Sequence, residues 1–118
     1  MLFRSDMKAQ FINPFVASVI EVLKTECNVN VKRNGKLTLT NDAATPMDVT
    51  ALIGVTGNLK GVALYSMGRE TALAFFSTML GEEATDFDDL ARSAIGELGN
   101  MITGISAMLL EEIGRAHV

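Results

Sequence analysis

Phe11, Ile12, Phe15, Val16, Val19, Ile20 and Leu23 recur at helical spacing near the start of the chain, which predicts a first helix running to about Glu26. Asn13 is suited to cap that helix and Pro14 to take its first position; the alternative is a helix that begins nearer Asp6 and is kinked at Pro14. The spacing then changes to alternation. Val29 and Val31, followed by Leu37 and Leu39, alternate with polar residues on either side of Asn34-Gly35, the pattern of a hairpin closed by a type I′ turn. After a loop at Asn41 to Pro46, a second pair of strands is expected at about Asp48 to Thr56 and Leu59 to Ser66, joined by Gly57-Asn58 in type II′ geometry.

Helical spacing returns from Arg69 to Leu80 through Ala72, Leu73, Phe76, Met79 and Leu80, and Gly81 stands where a C-cap glycine belongs. A last helix, capped by Asp86 or Asp88, carries Leu90, Ala94, Leu98, Met101, Ile105 and Met108 as its expected buried stripe out to about Ile113, with Gly114 able to end it. On that helix Glu97 and Asn100 lie within about 60° of each other, and Ser93 and Gly104 share their strip. Gly96, Gly99 and Gly104 each cost roughly 1 kcal/mol relative to Ala inside a helix. Close approach by another backbone would supply the compensation.

Composition narrows the class. A chain of 118 residues suits one domain, and 48% hydrophobic with 20% charged residues describes a globular protein rather than a disordered one. The net charge of −4 disfavours nucleic acid and anionic lipid as partners. Uncharged stretches fall short of the roughly 20 apolar residues that span a bilayer, and Arg4, Asp6 and Lys8 interrupt any signal-like run, so no membrane partner is expected. The single Cys27 has no internal disulfide partner, reads as a buried inert thiol and fits a cytoplasmic location.

Other candidate chemistry is thin. Glu82, Glu83, Asp86, Asp88 and Asp89 lack the spacing of a calcium loop and sit where acids favour a helix N-terminus. Gly54, Gly57 and Gly61 match neither a Rossmann nor a Walker pattern and read as turn and packing positions. His117, the only histidine, stands next to the last residue, so no Ser/His/Asp or Cys/His set can be assembled.

Ala94-Ile95-Gly96-Glu97-Leu98-Gly99-Asn100-Met101-Ile102-Thr103-Gly104 resembles the Glu-x-x-Asn helix of the CheC/CheX/FliY chemotaxis phosphatases. Ile12-Asn13-Pro14-Phe15 and Ile53-Gly54-Val55-Thr56-Gly57-Asn58-Leu59-Lys60-Gly61 are similar to other segments of that family. The resemblance runs in order over nearly the whole chain. CheC-type members carry two such helices and this chain one, which favours the CheX branch.

What the resemblance implies is an α+β fold (an α/β sandwich), with helices packed on a mainly antiparallel sheet and the long motif helix last. It implies a single CheX-like domain over residues 1–118, without the strands that follow the motif helix in typical members. It also implies dephosphorylation of a CheY-like response regulator, with Glu97 and Asn100 as catalytic residues: Asn100 orients the attacking water and Glu97 pairs with the regulator's Lys. No cofactor is expected on this chain, because Mg²⁺ belongs to the partner receiver. A homodimer is also among the assemblies it implies.

Two other readings use the same helix. One is a non-catalytic adaptor for a receiver or a flagellar switch protein, and the other is a structural module whose glycine-rich helix packs on its own copy. Without the surrounding match, a Glu and an Asn one turn apart are most often an ordinary solvated face.

Overall fold

The computed structural model describes residues 9–34, 47–55 and 60–116. In chain order these form α1 (Ala9–Cys27), β1 (Val49–Val55), β2 (Gly61–Met67), α2 (Arg69–Leu80) and α3 (Asp89–Ala116). The three helices pack on a two-stranded antiparallel sheet, and α3 touches α1, α2 and β1. This is the expected fold class, with the long helix last.

α1 starts at Ala9, so Pro14 lies inside the helix and Asn13 is an exposed helical residue rather than the cap. The earlier start places Ile12 and Phe15 in the core with Val22 and Leu23. The Pro14 carbonyl accepts a hydrogen bond from Ser18 Oγ at 2.6 Å. The helix ends at Cys27 and is followed by Asn28, whose φ of 52° suits an asparagine better than most side chains. The next amide, Val29 N–H, donates back to the Leu23 carbonyl at 3.1 Å.

That return bond bears on the first predicted hairpin. Val29 and Val31 are half-buried and their neighbours Asn30 and Lys32 exposed, so the alternation is real, but residues 28–34 form no strand. The amide of Val29 is taken by the helix end, and no ladder partner for this segment exists among the described residues. Gly35, Leu37 and Leu39 lie outside the described residues, as does the loop at Asn41 to Pro46.

The second hairpin forms, from Val49↔Met67 to Val55↔Gly61. A two-residue turn at Gly57-Asn58, continued as a regular ladder, would set Val55 opposite Lys60. The observed register is displaced by one residue; the turn itself lies outside the described residues. Ala51, Val55, Ala63 and Tyr65 face the core, while Leu52, on the opposite face of β1, is exposed. On that outer side the Thr50 and Ser66 hydroxyls are hydrogen-bonded at 3.2 Å, a cross-strand pair that supports the register.

α2 has the predicted bounds. Gly81, at φ 83°, ends it in the left-handed conformation and donates its N–H to the Ser77 carbonyl at 2.9 Å. Ala72 and Phe76 are its buried positions. α3 runs past Gly114 to Ala116, further than the glycine suggested. Of the described helices it alone is long and apolar enough to cross a membrane by length and composition, more than the sequence reading expected. Its buried side, however, packs against α1 and β1 as a core helix does.

Candidate functional site

Three sets of contacts fix α3 in place before any question of chemistry arises. At its start, Asp88 Oδ1 accepts the Ala91 N–H at 2.9 Å, an N-cap bond of the kind worth about 1 kcal/mol. One residue on, Asp89 pairs with Arg92 at 3.1 Å on the surface. Capping and pairing at this helix start account for two of the five clustered acids.

Along its back, α3 approaches β1 closely at Gly99. A Cβ there would lie 3.1 Å from Ile53 Cγ1 and 3.3 Å from Ala51 Cβ. At this position the glycine serves close packing inside the chain, against side chains of β1 rather than against another backbone. Gly96 and Gly104 differ: a Cβ at either meets nothing within 4 Å.

Further along the same side, two buried hydroxyl contacts tie α3 to its neighbours. Thr103 Oγ1 and Tyr65 Oη are 2.8 Å apart, joining the helix to β2. Burial pushes the Tyr65 phenol up, against a smaller opposite effect of the Thr103 hydrogen bond. Ser106 Oγ lies 3.0 Å from Ser18 Oγ on α1 and 2.7 Å from the Ile102 carbonyl, so its one proton serves both acceptors. Among the described residues no buried side-chain polar atom lacks a partner.

These contacts correct the expected buried stripe. Ala91, Ile95, Leu98 and Ile102, with Gly99, Thr103 and Ser106, are the buried positions of α3. Relative to the predicted stripe the buried face is rotated by about 100°, one residue's worth. Leu98 belongs to both, and Met101 and Ile105 of the predicted stripe are half-buried and pack against the core from its edge. Leu90 and Met108, assigned to the core from sequence, are 59% and 63% exposed. Hydrophobicity alone could not place the face, because glycine and satisfied hydroxyls occupy part of it.

Rotation of the core leaves the predicted site strip where it was expected. Ser93, Glu97, Asn100 and Gly104 are all exposed. Among the described residues Glu97 makes no ion pair and Asn100 no side-chain hydrogen bond. On Asn100's side of the helix, one turn earlier, Gly96 borders an open groove of about 430 Å³ between α3 and the start of β1. Asp48, Arg69 and Arg92 line it too, a feature that no sequence pattern announced. His117 lies outside the described residues. Cys27 is buried, and desolvation, with the nearby Glu26 charge second, pushes its thiol up, consistent with an inert group.

The geometry limits what the strip can do. Glu97 can accept hydrogen bonds from a cation, and the Asn100 amide can accept from water while donating to an oxyanion. Both stand on a convex, solvated helix face. Such a face neither encloses a substrate nor excludes water, so chemistry at these groups requires a pocket supplied by another molecule. The capped and back-anchored helix would deliver the pair to that pocket in a fixed orientation.

Comparison with known proteins agrees with this arrangement. Residues 49–118 match the family model described as chemotaxis phosphatase CheX. The CheY-P phosphatase CheX of Thermotoga maritima is 40% identical over 113 residues, 95% of this chain and 72% of that protein. The crystal structure of a CheC-like superfamily protein from Shewanella sp. PV-4 superposes with a TM-score of 0.81 at 38% identity, covering 92% of this chain and 70% of that one. For the chemotaxis protein CheX of Vibrio vulnificus the TM-score is 0.78 at 33% identity, with 90% and 70% covered. A sequence match that contains the whole motif helix, joined to this likeness of fold, shows that the chain belongs to the CheX family of chemotaxis phosphatases.

Proposed function

We propose that this chain removes the aspartyl phosphate of a phosphorylated CheY-like receiver domain, with Asn100 positioning the attacking water and Glu97 fixing the complex. One observation carries the reading: Glu97 and Asn100 stand side by side and exposed on a helix that is anchored along its back. The T. maritima relative, a CheY-P phosphatase by name, supports the substrate class.

Asn100 enters the receiver's phosphorylated pocket. Its carbonyl oxygen accepts a hydrogen bond from water and aims the water's oxygen at phosphorus, and its NH₂ donates to a phosphoryl oxygen. The new P–O bond forms as the bond from phosphorus to the aspartyl oxygen breaks. The products are inorganic phosphate and the receiver's free carboxylate. Mg²⁺ held by the receiver supplies charge stabilisation at the phosphoryl group. The phosphatase contributes position, which suffices for a reaction governed by alignment and electrostatics. Glu97 pairs with a cationic side chain at the rim of the receiver's pocket and sets the approach of the helix.

The test mixes phospho-CheY, Mg²⁺ and this chain and follows release of inorganic phosphate. Acceleration by the wild-type chain, lost in Asn100→Ala, supports catalysis. Binding without acceleration assigns the chain to the adaptor class instead.

A further inference from the structure

Two observations on α3 are left unexplained by the catalytic pair. Leu90 and Met108 are large apolar side chains more than half exposed, whereas the other large apolar residues described on the helix are buried or half-buried. Gly104 is an exposed glycine in mid-helix that no internal contact requires, in contrast to Gly99.

Their positions connect them. At about 100° per residue, Leu90, Ser93, Glu97, Asn100, Gly104 and Met108 fall within an arc of roughly 80°. All six are exposed. The strip thus has an apolar residue at each end, the polar pair in the middle and a residue without a side chain beside that pair. From Leu90 to Met108 it measures about 27 Å at 1.5 Å per residue. That is about the width of a patch of roughly 800 Å², the usual contribution of one partner to a specific protein interface. Apolar anchors around a polar centre, methionine among them, are also the usual composition of such a patch.

From this arrangement we infer that the whole exposed strip of α3 is the docking surface for the phosphorylated receiver, with Leu90 and Met108 as its apolar anchors and Gly104 as the clearance that lets the receiver's backbone approach Asn100. The inference rests on the proposed phosphatase reading and extends it from two residues to a footprint. The occupant follows from continuity: a partner that receives Asn100 in a pocket must cover the helix on both sides of it. A lipid surface fits worse, since Glu97 and Asn100 occupy the centre of the strip. A second copy pressing the strip against itself would bring two Glu97 carboxylates towards each other.

The measurement is steady-state dephosphorylation of phospho-CheY by the full chain, comparing wild type with the double variant Leu90→Ala/Met108→Ala, with Gly104→Ala and with Leu52→Ala. Leu52, 67% exposed on the outer face of the sheet, serves as a control away from the strip. The double variant is expected to raise KM about tenfold or more with kcat within about twofold, since the anchors act before and during the reaction alike. Gly104→Ala is expected to lower kcat/KM about tenfold while its melting temperature holds or rises, because the new methyl group meets nothing within the chain and alanine favours a helix. Leu52→Ala should match wild type.

A wild-type KM in the double variant, with active protein, overturns the inference and leaves the phosphatase reading intact. A wild-type chain that accelerates nothing overturns that reading, and the footprint with it. Should sedimentation show a dimer that the double variant dissociates without a change in KM, the strip belongs to a second copy. Flotation with phosphatidylglycerol vesicles that the double variant abolishes, again at unchanged KM, would assign it to a membrane. Either result overturns the inference.

Discussion

The two sides of α3 are built from similar residues and behave in opposite ways. On the buried side, Gly99 lets the helix sit against Ala51 and Ile53, and Thr103 and Ser106 satisfy their hydroxyls on Tyr65, Ser18 and the Ile102 carbonyl. On the exposed side, Gly104 meets nothing, while Glu97 and Asn100 have no partners among the described residues. Small and polar residues on the inner face hold the helix in place, and the same kinds of residue on the outer face are left free to be used. Orientation about the helix axis separates scaffold from site, and residue type does not.

The largest effect expected from breaking this division is at Asn100. Asn100→Ala should reduce acceleration of phospho-CheY hydrolysis by about a hundredfold or more, since positioning of the water is lost. Its stability should stay within about 0.5 kcal/mol of wild type, as for other surface positions. Phosphate release and urea denaturation measured on one preparation check both halves.

The two glycines sharpen the contrast next. Gly99→Val forces a branched side chain into space already 3.1 Å from Ile53 Cγ1, and should cost about 2 kcal/mol through overpacking. Gly104→Ala has open space and should gain up to about 1 kcal/mol from helix propensity. Opposite signs in a denaturation midpoint would show that the helix has one side committed to packing and one side available. Of similar size, Ser106→Ala removes a buried hydroxyl that bridges α3 to α1 and should cost about 1 kcal/mol. Ser18 keeps its own bond to the Pro14 carbonyl, which limits the loss.

Much of this was legible in the sequence, and the failures share a cause. The 3.6-residue spacing and Gly81 located α2 to the residue, and alternation located β1 and β2 to within two residues at each end. Glu97 and Asn100 were expected on an exposed strip and are found there. The rotation of the α3 core was missed because Gly99, Thr103 and Ser106 carry no hydrophobic signal, whereas Leu90 and Met108 do and are exposed. A hydropathy pattern records which residues avoid water without recording whether the cover comes from the same chain. Pro14 was open to two readings, and core contacts of Ile12 and Phe15 select the longer helix. For Val29 and Val31 the alternation was correct in burial, while the Val29 amide closes the helix end on the Leu23 carbonyl and residues 28–34 carry no strand.

The smallest expected effect is on pH dependence and concerns only the inner side. Burial raises both the Tyr65 phenol and the Cys27 thiol above their ordinary values. A group whose folded pKa is raised contributes stability below its unfolded pKa and loses it as pH climbs through the folded value. Ordinary values are about 8.5 for cysteine and about 10 for tyrosine, so the contribution is complete below about pH 8 and declines above. Melting temperatures from pH 7 to pH 11 should show this decline, and Tyr65→Phe should flatten its upper part.

The central claim is that the outer side of α3 acts in another protein's phosphorylated pocket through a neutral amide. Its most direct test is Asn100→Asp, which keeps the shape of the side chain but removes the donor and adds a negative charge. Decay of phospho-CheY with Mg²⁺ and saturating phosphatase should fall to nearly the unassisted rate in Asn100→Asp, at an unchanged melting temperature. Full acceleration by that variant would contradict the account.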